Sequence, residues 1–90
     1  MFAWDENKRQ ENLRKHGVDF ADVEFIFADY TVTTEDDREA YGEQRLVSLG
    51  LLHGIVVSVV FTERNGKVRI ISIRKATNHE KRFYFSQIPN

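Results

Sequence analysis

Basic side chains and potential proton donors recur at the ends of predicted elements in this sequence. Lys15 and His16 end a polar segment with helical spacing, and Arg74 ends a run of β-branched residues. Such groups suit metal-free cleavage of RNA by its own 2′-hydroxyl, because the protein then only orients the nucleophile, moves protons and stabilises a dianionic phosphorane. The residues that would take part are Lys15, His16, Arg45, Arg64, Arg69, Arg74 and Tyr84. An arginine-rich sheet that only binds a polyanion has a similar composition, so both interpretations stay open here.

Several other kinds of chemistry lack their signature in the 90 residues. There is no cysteine, which removes disulfides and thiolate metal sites. Neither a Gly-x-Ser-x-Gly elbow nor a phosphate-binding loop or dinucleotide fingerprint is present. The acidic run 35–39 is interpreted as a solvated turn rather than a metal site, because metal ligands must converge. Without a membrane-spanning run or a signal-peptide segment, we expect one cytoplasmic domain over residues 1–90 that needs no cofactor.

The net charge of −1 conceals an unequal distribution of charge along the chain. Residues 1–43 contain five basic and twelve acidic side chains, whereas residues 44–90 contain eight basic and two acidic ones. The second half is therefore strongly basic, which favours a surface that faces a polyanion or an acidic partner. Mutual neutralisation of the two halves within the fold is the alternative.

The element that must position Arg74 is a strand that continues directly into a helix. Lys67–Lys75 has β-branched residues on both faces, which predicts a central strand. Thr77 and Glu80 have the spacing of a capping box, which predicts a helix that Pro89 ends. An arginine at the end of a buried strand, followed by a helix N-terminus, predicts a binding place for phosphate oxygens.

A helix near the N-terminus must position Lys15 and His16. Asp5 is its predicted N-cap, and Gly17 is its left-handed C-terminal residue. One face of this helix carries side chains at i, i+4, i+7 and i+8, namely Lys8, Asn12, Lys15 and His16. This face is either functional or merely solvated.

The rest of the chain predicts a second helix and a meander of strands. The helix covers residues 20–28 and has apolar residues at helical spacing, so it packs on the core. Four β-prone runs are predicted at 30–34, 44–52, 55–62 and 67–75, with turns at His53-Gly54 and Asn65-Gly66. Connections this short require antiparallel neighbours. The predicted fold class is α+β: a small antiparallel sheet of three to five strands, with two N-terminal helices packed on it and a C-terminal helix.

Alternation along the strands also predicts how side chains divide between the sheet faces. The even positions predicted to share a mixed cleft under the last helix are Ser48, Ser58, Thr62, Ser72 and Arg74. The odd positions predicted to face the two early helices are Val47, Leu49, Val57, Val59, Phe61, Ile71 and Ile73.

Three parts of the sequence resemble the BrnT family of toxins. They are Trp4-Asp5-Glu6-Asn7-Lys8 with 12–20, Gly42-Glu43-Gln44-Arg45 with Leu49-Gly50, and 60–64 with 68–77, Glu80 and Tyr84. The most specific blocks are Lys15-His16-Gly17-Val18 and Arg69-Ile70-Ile71-Ser72-Ile73-Arg74-Lys75-Ala76. The resemblance implies a type II toxin–antitoxin toxin with a RelE-like fold. It further implies a ribonuclease that inhibits translation and is held inactive by a BrnA-like antitoxin, which itself binds operator DNA.

Together with this resemblance, the cationic residues take predicted roles. Lys15 and His16 are predicted to transfer protons, and Arg64 and Arg74 are predicted to stabilise the phosphate. The residues predicted to bind the RNA backbone are Lys8, Arg45, Arg69, Lys75, Arg82 and Tyr84. The expected partners are RNA and the antitoxin, with no metal. The alternative is a non-catalytic interaction module or corepressor that acts only through its antitoxin complex.

Overall fold

Residues 1–36 and 42–89 are described by a computed structural model of the chain. Their elements, in chain order, are β1 (Phe2–Ala3), α1 (Glu6–His16), a 3-10 turn (Phe20–Asp22), α2 (Val23–Ala28), β2 (Val32–Asp36), β3 (Arg45–Leu52), β4 (Ile55–Arg64), β5 (Lys67–Lys75) and α3 (Asn78–Gln87). The fold is α+β with a five-stranded sheet, and the predicted strands and helices are present with shifted ends. Within the described residues, no helix has the length and apolar character to cross a membrane.

The sheet has the order β1-β5-β4-β3-β2 and is mixed. Strands β2 to β5 pair antiparallel with their neighbours in that order, as their short connections require. β1 pairs parallel with β5, with Phe2 opposite Val68 and Ala3 opposite Arg69. The prediction of a purely antiparallel sheet is wrong for β1, because most of the chain separates β1 from β5 and no tight turn sets their relative direction.

Two hydrophobic clusters distinguish the two faces of the sheet. The face that we call the α2 face carries the larger cluster, whose buried members are Val18, Phe20, Val23, Ile26, Leu52, Val57, Val59, Phe61, Ile70 and Ile73. The opposite face, the α3 face, carries a smaller cluster that consists of Leu49, Val56, Ala76 and Tyr84. Arg64 and Arg69 are exposed and lie towards the opposite end of β4 and β5 from Val56 and Ala76. The α3 face is therefore covered only in part.

The turn between β3 and β4 reverses the predicted faces of β3. Leu52 pairs with Ile55 across the two-residue turn, so even positions of β3 lie beside odd positions of β4. Ser48 consequently pairs with Val59 on the α2 face, and its predicted place in the mixed cleft is wrong. The predicted places of Val47 and Leu49 are wrong for the same reason.

The two-residue turn between β4 and β5 also pairs an even position with an odd one, since Arg64 lies opposite Lys67. A β-bulge then restores the predicted pairing of even with even positions in the second part of β5. Val60 pairs with Ser72 and Phe61 pairs with Ile70, which leaves Ile71 as the extra residue. Ile71 is therefore not part of the buried cluster on the α2 face, contrary to prediction.

The same bulge places the predicted cleft residues of β4 and β5 on one face. Ser58 lies opposite Arg74 and Thr62 lies opposite Arg69. Residues directly opposite each other on paired strands project to the same face. The predicted sharing of a face by Ser58, Thr62, Ser72 and Arg74 is thus confirmed.

The predicted helix caps are present at both α1 and α3. The Asp5 carboxylate accepts hydrogen bonds from two backbone N–H groups of the first turn of α1, at 2.8 and 3.3 Å. Gly17 ends α1 with a φ of 73°. Thr77 and Glu80 form both halves of the capping box of α3. These caps determine where α1 begins and ends and where α3 begins, and so determine the positions of the basic last turn of α1 and the first turn of α3.

The acidic run differs from its prediction as a solvated turn. Glu35 and Asp36 belong to β2, and Asp36 is buried. The remaining part of the run, 37–39, lies outside the described residues.

Candidate functional site

The first candidate region is a groove of about 540 Å³ between α1 and β5, which we call the α1 groove. Lys15 and His16 line it from the basic last turn of α1, and Lys8 lines it from the helix's first half. Ile71 and Ser72 line it from the bulged part of β5. The groove therefore brings together both predicted proton-transfer residues and one predicted RNA-binding residue.

Asn12 holds α1 against the edge of β5. Its side-chain Nδ2 donates to the carbonyl oxygens of Ile73 and Val18 at 2.8 and 3.0 Å, and its Oδ1 accepts from the Ile73 N–H at 3.1 Å. The side chain is 7 % exposed. One amide thus satisfies backbone groups that a neighbouring strand would otherwise satisfy. The sequence placed Asn12 on the functional or solvated face of α1, and no local pattern signals its pairing with a strand edge.

Arg9 fastens the start of α1 to the following segment. Its NH1 donates to both carboxylate oxygens of Asp19 at 3.0 Å, and its NH2 donates to Oε2 of Glu6 at 2.6 Å. The hydrogen bond from Arg9 lowers the pKa of Glu6 to about 2. The pKa of Asp19 is also lowered, first by the N–H of Ala21 and then by Arg9. A helix with little apolar surface is therefore held largely by polar contacts.

The second candidate region, which we call the basic end, lies on the α3 face of β4 and β5. Arg64, Lys67 and Arg69 line a groove of about 460 Å³ there, together with Thr62. Arg64 pairs with Lys67 in the register, and its side chain is 77 % exposed. It contacts Glu43 at 3.3 Å, and a contact this exposed adds little stability and leaves the guanidinium accessible. The region presents several cations to an incoming phosphate backbone.

The third candidate region is a groove of about 270 Å³ between the α3 face and the first turns of α3, which we call the α3 groove. Its lining residues are Val32, Thr34, Glu35, Asp36, Val47, Leu49, Ser58, Arg74, His79, Glu80 and Phe83. Arg74 donates from NH1 and NH2 to the two carboxylate oxygens of Glu80, at 2.8 and 2.9 Å. A carboxylate of the chain itself therefore bonds to the guanidinium that was predicted to bind phosphate.

The Arg74–Glu80 pair also fastens α3 to the end of β5. Glu80 Oε1 accepts from the Thr77 N–H at 2.8 Å, so one carboxylate serves both the ion pair and the capping box. The hydrogen bonds from Arg74, followed by that from the Thr77 backbone, outweigh burial and lower the pKa of Glu80 to about 2. The Glu80 carboxylate is therefore ionised at neutral pH and bonds to both terminal nitrogens of Arg74.

The four predicted catalytic residues therefore line three different regions rather than one cavity. Lys15 and His16 line the α1 groove, Arg64 lies at the basic end, and Arg74 lies in the α3 groove. Ser72 lies between these regions. It lines the α1 groove, and its pair with Val60 lies between the pairs that Arg69 and Arg74 form with β4.

Residues 4–80 of the 90 match the sequence profile of the ribonuclease toxin BrnT of type II toxin–antitoxin systems. The chain belongs to the BrnT family. Membership implies an RNA substrate and an antitoxin partner. No curated protein matches the chain. The matched residues include the α1 groove, the basic end and the Arg74–Glu80 pair.

Tyr84, which was predicted to contact RNA, lies in the core of this BrnT-family chain. The Tyr84 ring is completely buried, and its hydroxyl donates to the carbonyl oxygen of Tyr30 at 2.8 Å. Burial raises the pKa of the Tyr84 phenol. The residue is a core anchor for α3, and a tyrosine in a helix with mixed polarity gave no sequence signal that separated the two roles.

The remaining predicted RNA-binding residues are dispersed. Lys75 pairs with Val57 and lines a separate pocket of about 150 Å³. Arg45 is half-buried and lies opposite Asp36 at the start of β3. Arg82 is exposed on α3, outside the matched residues. These three do not line the grooves that contain Lys15 or Arg69.

Among residues 1–36 and 42–89, no cluster of three or more histidine, aspartate or glutamate side chains has the arrangement of a metal site. The three regions present ammonium, guanidinium, imidazole and hydroxyl groups, together with carboxylates: Glu11 in the α1 groove, Glu43 at the basic end, and Glu35, Asp36 and Glu80 in the α3 groove.

Proposed function

We propose that this chain is a metal-independent endoribonuclease that inhibits translation and is neutralised by a BrnA-like antitoxin. The observation that carries the proposal is the α1 groove, where Lys15 and His16 stand together beside β5 in a chain of a ribonuclease-toxin family. Histidine and lysine are side chains that transfer protons in enzymes. The antitoxin is proposed to bind operator DNA, so that the toxin reaches DNA only through it.

In the proposed reaction, one member of the Lys15–His16 pair takes the proton of a ribose 2′-hydroxyl. The 2′-oxygen attacks the adjacent phosphorus, and a P–O bond forms as the bond to the 5′-oxygen breaks. The other member returns a proton to that leaving oxygen. The products are a 2′,3′-cyclic phosphate and a 5′-hydroxyl, and no external nucleophile is needed.

The RNA backbone is proposed to bind along the α3 face from the basic end. Arg64 and Arg69 are accessible there and supply bidentate contacts to phosphate. Ser72 marks where this path meets the α1 groove. Arg74 joins the path only when a phosphate oxygen replaces Glu80 as its partner, because its two terminal nitrogens both bond to that carboxylate.

The decisive experiment incubates purified protein with single-stranded RNA in excess EDTA. We expect fragments that end in 2′,3′-cyclic phosphate. Lys15→Met and His16→Gln should each slow cleavage by about 100-fold or more, the usual contribution of a positioned acid or base. Lys81→Met is the matched control, since Lys81 is exposed on α3 and lines none of the three grooves. Intact RNA at high protein concentration would contradict the proposal.

Expression in cells separates the proposal from a non-catalytic module. Expression of the chain without its antitoxin should stop growth, and Lys15→Met should relieve the arrest. Harmless expression of the wild-type chain would favour a module that acts only through its antitoxin complex.

A further inference from the structure

Ser58 is a buried side chain whose hydroxyl lacks a hydrogen-bond partner within the described residues. The residue is 1 % exposed, and it lines the α3 groove opposite Arg74. A hydroxyl that is buried without a partner costs stability. Such groups call for an explanation, and a ligand that supplies the missing hydrogen bond is one. The hydroxyl of Ser58 therefore favours a ligand in the α3 groove that forms a hydrogen bond with it.

The α3 groove has the size and lining of a slot for one flat ring system. Its volume of about 270 Å³ is just below the roughly 300–1,000 Å³ of pockets for drug-sized ligands. Val47 and Leu49 line it from the sheet, and Phe83 lines it from α3 with 40 % of the residue exposed. Proteins hold unpaired nucleobases in this way, between an aromatic ring and an apolar surface.

The carboxylates of Glu35, Asp36 and Glu80 line the groove beside Arg74, so the groove suits an uncharged ring, and the phosphates that accompany this ring would bind outside it, at the basic end. Arg69 and Arg74 both project from β5 onto the α3 face, since they lie opposite Thr62 and Ser58. His79 lines the groove at the start of α3. A strand of RNA whose phosphates bind at the basic end would thus extend along the same face towards the groove.

We propose that the α3 groove binds one unpaired nucleobase of the RNA, stacked on Phe83 and hydrogen-bonded by Ser58. The inference rests on the proposed function, because it assigns a further subsite for the same substrate. The Ser58 hydroxyl donates to a ring nitrogen or carbonyl oxygen and accepts from an exocyclic amino group. The groove therefore adds recognition of a base to recognition of the backbone.

The test measures binding of the four nucleoside 5′-monophosphates to the full chain by two-dimensional NMR, with ribose 5-phosphate as the base-free probe. We expect at least one nucleotide to shift the resonances of Val47, Leu49 and Ser58, whereas ribose 5-phosphate leaves them in place. Phe83→Ala should weaken this binding by about tenfold, which corresponds to one lost base–aromatic stack. Phe85→Ala is the matched control on the same helix, because Phe85 is 55 % exposed but does not line the groove.

Ser58→Ala separates binding from folding. It removes a hydroxyl without a partner in the described residues, so the variant should be at least as stable as the wild type while binding the nucleotide more weakly. Unchanged affinity in both Ser58→Ala and Phe83→Ala would overturn the proposal. So would groove resonances that respond to none of the four nucleotides, or only to the antitoxin. The nucleotide titration needs no cleavage, so its outcome does not depend on the ribonuclease proposal. The EDTA assay tests that proposal separately.

Discussion

Asn12 shows how one buried amide can determine the position of a candidate catalytic helix. α1 has little apolar surface, and its one buried residue is Asn12. The amide forms three hydrogen bonds, two of them to the backbone of Ile73. Lys15 and His16 lie one turn further along the same helix, so their position relative to β5 depends on this contact.

The substitution Asn12→Asp tests the role of this amide. The carboxylate keeps the acceptor for the Ile73 N–H but loses both donors and faces two carbonyl oxygens instead. We expect the free energy of unfolding to fall by about 3 kcal/mol at neutral pH, measured by urea denaturation. The loss should become smaller at lower pH, because a protonated Asp donates again. Asn7→Asp, the same change at an exposed position of α1, should alter stability by no more than about 0.5 kcal/mol. Equal effects of the two variants would contradict the assigned role.

Glu80 gives the protein a pH-dependent contribution to stability. Its pKa in the folded chain is about 2, below the ordinary 4.5, chiefly because Arg74 donates to it. A depressed acidic pKa stabilises the fold above the ordinary value, and this stabilisation is lost as pH falls from about 5 towards 2. Since the Arg74 side chain is 34 % exposed, solvent screening reduces the contribution to about 2 kcal/mol.

We therefore expect Glu80→Gln to flatten the acid branch of the stability curve. The wild type should lose about 2 kcal/mol more than the variant between pH 6 and pH 2.5, as measured by urea unfolding at both values. Arg74→Met should flatten the curve in the same way, and the double variant should add nothing further. Parallel curves for the wild type and Glu80→Gln would show that the ion pair does not set the pKa of Glu80.

At the scale of elements, α3 is attached to the sheet by bonds at both of its ends. Arg74 and Thr77 hold its first turn through Glu80. Tyr84 donates to the Tyr30 carbonyl oxygen at 2.8 Å, and Tyr30 in turn donates to the Gln87 carbonyl oxygen at 2.9 Å. The position of α3 matters because the helix forms one side of the α3 groove.

Tyr84→Phe tests whether Tyr84 anchors α3 or contacts RNA. Loss of the buried hydrogen bond should lower the free energy of unfolding by about 1 kcal/mol, while affinity for RNA stays unchanged. Tyr30→Phe is the matched control, and it should cost less because Tyr30 is 39 % exposed. Thermal unfolding and RNA titration of both variants provide the measurements. A drop in RNA affinity without a change in stability would restore the predicted role in RNA binding.

The sequence was sufficient for elements whose signals are local. Asp5, Gly17 and Thr77 each act on backbone groups within a few residues, so the ends of α1 and the start of α3 were predictable. The faces of β3 were not, because they depend on the two-residue turn at His53-Gly54. A two-residue turn pairs an even position with an odd one, and alternation within a strand carries no information about that exchange.

The candidate site depended even more on contacts between distant parts of the chain. The blocks around Lys15 and Arg74 were recognisable, and Lys15 and His16 do share a groove. The bond between Asn12 and Ile73 joins residues 61 positions apart, and the bulge at Ile71 changes the register within β5. Neither has a local signature, so the separation of Arg74 from Lys15 was not predictable.

At the scale of the whole molecule, the ion pairs of Arg9 and Arg74 each lie within one half of the sequence. Arg9 pairs with Glu6 and Asp19 within the first half, and Arg74 pairs with Glu80 within the second. At the basic end, Arg64 of the second half contacts Glu43 of the first half, and both side chains are exposed. The positive charge of the basic end therefore remains accessible to a polyanion, which favours that interpretation over mutual neutralisation.

This charge distribution predicts how RNA affinity depends on salt. Each phosphate contact with single-stranded RNA contributes about −0.7 to the slope of log affinity against log salt. Arg64→Ala and Arg69→Ala should each make the slope shallower by about that amount, as measured by fluorescence anisotropy with a labelled oligonucleotide at several salt concentrations. Lys81→Ala removes an exposed cation from α3 and should leave the slope unchanged. If all three variants changed the slope equally, RNA would respond to net charge alone, and the basic end would not be its specific path. If only the two arginine variants change the slope, the phosphates bind at the basic end.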